Sequence, residues 1–146
     1  MAHLQGKFQK NLVIDKLNIL PLICYEVIFT KFIQKSERNS NLIVNISEDG
    51  WFGNSIGPYQ HFAKGIFRAV EQNSFLIRSA NKGVTAIINN KGEVVKRLNP
   101  NEVGSIELEV PLIKSKNKNK NDLIFFVLLI TYIFIFYFYK KNTDKK

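Results

Sequence analysis

The sequence predicts an α/β layered domain followed by one transmembrane helix, and three observations lead there. Residues 18–23 and 41–46 are nearly continuous apolar runs of strand length, the pattern of strands buried on both faces. Segments with helical spacing follow each of them, so strands and helices alternate. Residues 123–139 are an almost unbroken Phe/Leu/Ile/Tyr/Val run bracketed by lysines.

Taken in order, residues 12–23 hold two apolar runs around Asp15-Lys16, which predicts a hairpin. Pro21 is awkward in a central strand because it brings no N–H to the ladder. Cys24-Tyr25-Glu26 follow at once, and Val27, Ile28, Phe32 and Ile33 give residues 27–34 a helical pattern. After a polar loop comes the second buried-type strand. Residues 47–58 form a loop with Gly50, Gly53 and Gly57, ended by Pro58. A helix is expected over 59–73, where Phe62, Ala63, Ile66, Phe67 and Val70 recur at spacings of three and four. Residues 75–79 read as a strand, 84–88 and 93–96 as a hairpin through Asn89-Asn90-Lys91-Gly92, and 103–110 as a last strand.

The formal net charge is +9, and the lysines crowd around the C-terminal apolar run. That placement suits an anionic membrane surface; no basic–aromatic face of the kind nucleic acid needs is visible, and no nucleic-acid partner is expected. Residues 114–121 contain no apolar side chain and read as a solvated basic linker. As a helix, 123–139 reaches about 25 Å, near the short limit for a bilayer. Its one polar interior residue, Thr131, can bond back to the helix backbone, and Tyr137 and Tyr139 suit an interfacial belt. Four lysines stand on each side of the run, so charge assigns no orientation. The expected organisation is a domain over 1–113, a linker over 114–121, a transmembrane helix over 122–140 and a basic tail over 141–146.

Cys24 is the one cysteine, which excludes an intramolecular disulfide and a cysteine-based metal site. His3 and His61 form no ligand motif, and no metal or cofactor is expected. On pattern alone, a cysteine after an apolar strand reads as a small buried hydrophobe. Its place at a strand-to-helix junction also fits a nucleophile, because the N–H groups of a following helix lower a thiol pKa and stabilise an oxyanion. Glu26 suits a first helical turn, and Tyr25 suits packing with its hydroxyl outward. Trp51 and Phe52 among glycines fit either an apolar cleft or a loop plug. His61 opens the second helix as a capping or packing residue or a base, and Arg68 and Glu71 have the spacing of an ion pair.

The order of these elements is more specific than any one of them. Cys24-Tyr25-Glu26, Trp51-Phe52-Gly53, Gly57-Pro58-Tyr59-Gln60-His61, Arg68-Ala69-Val70-Glu71 and Arg78-Ser79-Ala80-Asn81-Lys82-Gly83-Val84-Thr85-Ala86 follow one another. Over residues 12–112 this resembles the C-terminal half of the nitrilase-like domain of apolipoprotein N-acyltransferases, members of the carbon–nitrogen hydrolase (nitrilase) superfamily. The resemblance implies the C-terminal portion of a nitrilase-like layered α/β sandwich, with Cys24 as the nucleophile and Glu26 beside it as important for activity. Tyr25 is implied there too, and Tyr25, Trp51 and His61 are expected at the substrate cleft. It also implies a phospholipid acyl donor, a cysteine thioester, and the N-terminal amine of a lipoprotein as acceptor, at a bacterial inner membrane that this chain crosses once.

The resemblance places a glutamate base and an oxyanion-stabilising lysine many tens of residues upstream of the cysteine. Only 23 residues precede Cys24, and none matches either group in context. The expectation is a fragment inactive on its own, needing a separate chain that carries the N-terminal half. The alternatives are a non-catalytic tail-anchored remnant and a carbon–nitrogen hydrolase acting on a small amide.

Overall fold

The computed structural model describes residues 11–30, 40–113 and 120–143. The chain divides into two compact units, Met1–Ser115 and Lys116–Lys146.

The first unit is built on a six-stranded sheet whose order follows the chain: β1 Leu12–Ile14, β2 Leu17–Ile23, β3 Leu42–Glu48, β4 Phe75–Asn81, β5 Thr85–Ile88 and β6 Val94–Leu98. β2, β3 and β4 are mutually parallel, and the remaining neighbours are antiparallel. Parallel neighbours need a crossover, and between β3 and β4 it is the helix α1, Gly57–Gln72. The Asp15-Lys16 hairpin and the turn at residues 89–92 join the strands as expected. Pro21 sits in β2 opposite Val44 of β3, beyond Ile19, where the pairing of β1 ends. Its missing N–H is therefore not demanded by a described strand on that side.

Continuous apolarity in the strands has a direct cause: both sheet faces are covered. Leu20, Leu22, Ile43, Leu76, Ala86 and Ile88 form one core with Phe62 and Ala69 of α1. On the opposite face, Leu42, Phe75 and Ile87 pack with Val44 and Ile77 and with Ile106, Val110 and Ile113. This corrects the strand expected over 103–110. That segment joins no sheet among the described residues; it packs on the second face and is pinned where Lys96 Nζ donates to the Glu107 carbonyl at 2.6 Å. Its alternating apolar residues serve a covering strap instead of a ladder.

The buried stripe of α1 also differs from expectation. It comprises Pro58, His61, Phe62, Gly65, Arg68 and Ala69, whereas Phe67 and Val70 are exposed. Two polar residues occupy the core-facing side, so a count of apolar residues misplaces the stripe. The helix begins with Pro58 in its first turn and ends at Asn73, whose left-handed conformation (φ 50°) closes it. Of the helix expected over 27–34, Val27 and Ile28 lie in a 3₁₀ turn, Cys24–Ile28, and residues 31–39 lie outside the described residues.

The second unit contains the helix α2, Lys120–Thr143. Within it, Leu123–Lys141 is long and apolar enough to cross a membrane by length and composition. Its side chains over 123–141 are exposed on every side, so no polar face marks it as a soluble surface helix. Thr131 Oγ1 donates back to the helix carbonyls at 2.8 and 2.9 Å, which removes its polar cost in an apolar medium. Most of the linker expected over 114–121 falls outside the described residues.

Candidate active site

Strands β2 and β3 run parallel and end together, which brings Cys24 and the segment 47–49 to one edge of the sheet. Cys24 follows β2 directly and opens the 3₁₀ turn with φ 48°. A left-handed conformation costs a residue with a Cβ about 1–2 kcal/mol, so the surroundings must hold it. Glu26 contributes: its Oε2 accepts the Ile23 N–H at 2.7 Å, closing the turn from below. This is a turn-shaping contact for a residue expected in catalysis.

The thiol is partly buried. Ser47 Oγ lies 3.8 Å from Sγ and also 2.7 Å from Asp49 Oδ1, to which it donates. The thiol therefore has the Glu48 carbonyl, 3.9 Å away, as its acceptor.

Behind the turn stands a buried polar cluster. Strand alternation points Asn45 and Ser47 of β3 to the α1 side, along with Arg78, the register partner of Asn45 on β4. Arg78 donates to Asn45 Oδ1 and, at 2.7 Å, to Asp49 Oδ2. His61 Nδ1 meets Asp49 Oδ1 at 2.9 Å, and Nε2 faces the Cys24 carbonyl at 3.2 Å. Asn45 Nδ2 donates to the Leu22 carbonyl at 3.0 Å and approaches that of Cys24 at 3.4 Å. Burial pushes the Asp49 carboxyl up, but its hydrogen bonds to His61 and Ser47 and the Arg78 cation outweigh that and bring it down to about 2. The approach of Gly83 depends on its missing side chain, because a Cβ there would collide with the Asp49 carboxylate.

In front of the turn is an aromatic groove of about 360 Å³, lined by Tyr25, Ile28, Phe52, His61, Lys64 and Phe67 among others. The Tyr25 ring stands 5.3 Å from His61 and 6.4 Å from Phe52. Gly57 lets the start of α1 abut Phe52, whose ring would meet any Cβ placed there. The structure thus brings Cys24, Tyr25 and His61 together. Trp51 stands apart from this packing, 86% exposed on its own short turn. Sequence reasoning missed Asn45, Ser47 and Asp49, and left Phe52, which lines the groove, open between a cleft and a loop plug. The available signal was Asn45 and Ser47, two apart and so on one face of a strand that is apolar up to Ile46 apart from Asn45.

Residues 5–117 match the carbon–nitrogen hydrolase family, so the chain belongs to it. Among curated relatives it is similar to the apolipoprotein N-acyltransferase of Rickettsia typhi, 47% identical over 95 residues, covering 65% of this chain and 19% of that protein. The enzyme of the same name from Wigglesworthia glossinidia brevipalpis is 46% identical over 103 residues, covering 70% of this chain and 20% of that one. The chain thus spans about a fifth of the length of these relatives. In fold it is similar to an amidase from Nesterenkonia sp. AN1, with a TM-score of 0.52 at 16% identity over 66% of this chain and 40% of that one.

Proposed function

We propose that this chain is the cysteine-bearing portion of an apolipoprotein N-acyltransferase. Cys24 Sγ, as the thiolate, attacks the carbonyl carbon of a phospholipid acyl ester. A C–S bond forms, the ester C–O bond breaks, and the leaving oxygen takes the proton withdrawn from the thiol and departs as a lysophospholipid. The N-terminal amine of a lipoprotein then attacks the thioester. A C–N bond forms, the C–S bond breaks, and the amine proton returns to sulfur. Splitting the transfer into two such steps is what covalent catalysis offers, and a thioester acylates an amine readily.

The observation that carries this reading is the thiol itself: partly buried, on a left-handed turn at the ends of two parallel strands, next in sequence to Tyr25, which lines an aromatic groove. In this proposal Tyr25, Trp51 and His61 border the substrate cleft, and Glu26 keeps the turn in shape. The glutamate base and the oxyanion lysine come from a segment outside these 146 residues, in a longer polypeptide or on a second chain. Without them the thiol lacks a base, and the 146 residues alone turn over little or nothing. The α2 helix crosses the bacterial inner membrane once and tethers the chain to the membrane that holds the lipid donor.

The test is reconstitution. The chain is co-expressed with a polypeptide carrying the first half of such an enzyme, and acyl transfer from phospholipid to a lipopeptide is measured. Rescue of transfer that Cys24→Ser abolishes is the expected result. Transfer that persists in Cys24→Ser, or that never appears in any pairing, sinks the proposal.

A further inference from the structure

We propose that His61 and Arg68 are positioning residues for Cys24, and that α1 acts as a splint holding both ends of the turn that carries the thiol. The two residues are seven apart, about two helical turns, so they share one face of α1. His61 Nε2 faces the carbonyl of Cys24 at 3.2 Å. Arg68 Nε donates to the carbonyl of Val27 at 2.9 Å. These carbonyls stand at the two ends of the turn Cys24–Ile28. Both residues are buried, 3% and 5% exposed, although neither belongs in an apolar core unless its polar atoms are used.

Each side chain is itself held by an acid. Asp49 holds Nδ1 of His61, and Glu71 pairs with Arg68. Phe62 and Ala69 key the same face of α1 into the sheet core, so the splint is fixed to the strands that present the thiol. The held turn contains the left-handed Cys24, which would otherwise relax to an ordinary negative φ. That relaxation re-aims the Cα–Cβ bond and carries Sγ away from Ser47 and the Glu48 carbonyl. The splint therefore accounts for Arg68, which neither the groove nor apolar packing explains, and gives His61 a role besides bordering the groove.

This inference rests on Cys24 being the nucleophile, but its test reads the thiol and not acyl transfer, so the two ideas fail separately. Cys24 is the only cysteine, so alkylation by iodoacetamide in detergent micelles of the full chain reports on it alone. His61→Leu and Arg68→Met remove the polar groups that face the two carbonyls, at similar volume. Each is expected to slow alkylation about tenfold, the scale of a misplaced reacting group, and to speed amide exchange at residues 25–28. His61→Gln and Arg68→Lys retain a donor and are expected to restore the rate, which purely apolar packing would not demand. Glu71→Gln acts at a side chain 40% exposed, leaves the core intact and is expected to give an intermediate slowing. Wild-type rates in the Leu and Met variants would overturn the splint, as would failure of Gln and Lys to restore the rate. If the Leu or Met variant does not fold, an unchanged rate in Glu71→Gln overturns it instead.

Discussion

Asp49 and Arg78 form an ion pair at 2.7 Å with both side chains fully withdrawn from solvent. Such a pair offsets its desolvation only while both partners stay in place. Asp49→Leu leaves Arg78 charged and uncompensated, and Arg78→Met does the same to Asp49. Each single change is expected to cost about 3–5 kcal/mol, measured by urea unfolding followed by circular dichroism. The double variant is expected to cost clearly less than the two singles together, because it leaves no unpaired buried charge. Simple additivity would show that the pair is not coupled.

Acid should expose the same carboxylate. Its folded pKa is about 2 against an ordinary 3.8, so the folded state binds the proton less readily than the unfolded chain. The stability it contributes is whole above pH 3.8 and is lost as the pH falls toward 2. The expected loss across that window is about 2 kcal/mol. Asp49→Asn should remove that component of the slope, even though the variant is weaker at every pH. An unchanged slope in Asp49→Asn would assign the acid sensitivity to other groups.

Much of the scaffold was legible because it follows from periodicity. β2, β3, β4 and the β5–β6 hairpin announce themselves as apolar runs between turn residues, and the helix over α1 announces itself by its spacing. The working side of α1 was not legible. Counting apolar residues selects Phe62, Ala63, Ile66, Phe67 and Val70, yet His61 and Arg68 face inward and Phe67 and Val70 face out. Buried polar residues invert a hydrophobic pattern wherever tertiary hydrogen bonds satisfy them. The segment 103–110 failed for a related reason: alternation records which residues are covered, not whether the backbone pairs. Of the candidate site, Cys24, Tyr25 and His61 were visible through motif order, though not that His61 faces the Cys24 carbonyl. The Asp49–Arg78–Asn45 cluster was not, since its members are far apart in sequence and meet only through strand register.

The left-handed turn at Cys24 makes a prediction about stability that is independent of chemistry. A glycine adopts φ 48° without steric cost, whereas alanine keeps the Cβ penalty. Cys24→Gly is therefore expected to exceed Cys24→Ala in stability by about 1 kcal/mol, reduced somewhat by glycine's larger unfolded-state entropy. At an ordinary negative φ the order would reverse. Thermal unfolding of the two variants side by side distinguishes these outcomes, and an alanine variant more stable than the glycine one would refute the strained turn.

Trp51 supplies the last prediction, because its exposure separates packing from ligand contact. A side chain 86% exposed contributes little to the folded core, so Trp51→Ala should leave the unfolding midpoint within about 0.5 kcal/mol of wild type. An indole at the rim of a lipid-acyl cleft is instead expected to meet acyl chains. It is the only tryptophan, so its emission needs no deconvolution. In nanodiscs made with phospholipids brominated on their acyl chains, Trp51 emission is expected to be strongly quenched, and aqueous iodide to quench it weakly. The opposite pattern, strong iodide quenching with no effect of bromine, would remove Trp51 from the proposed substrate cleft. A large loss of stability in Trp51→Ala would show that the loop is a plug packed onto its own domain.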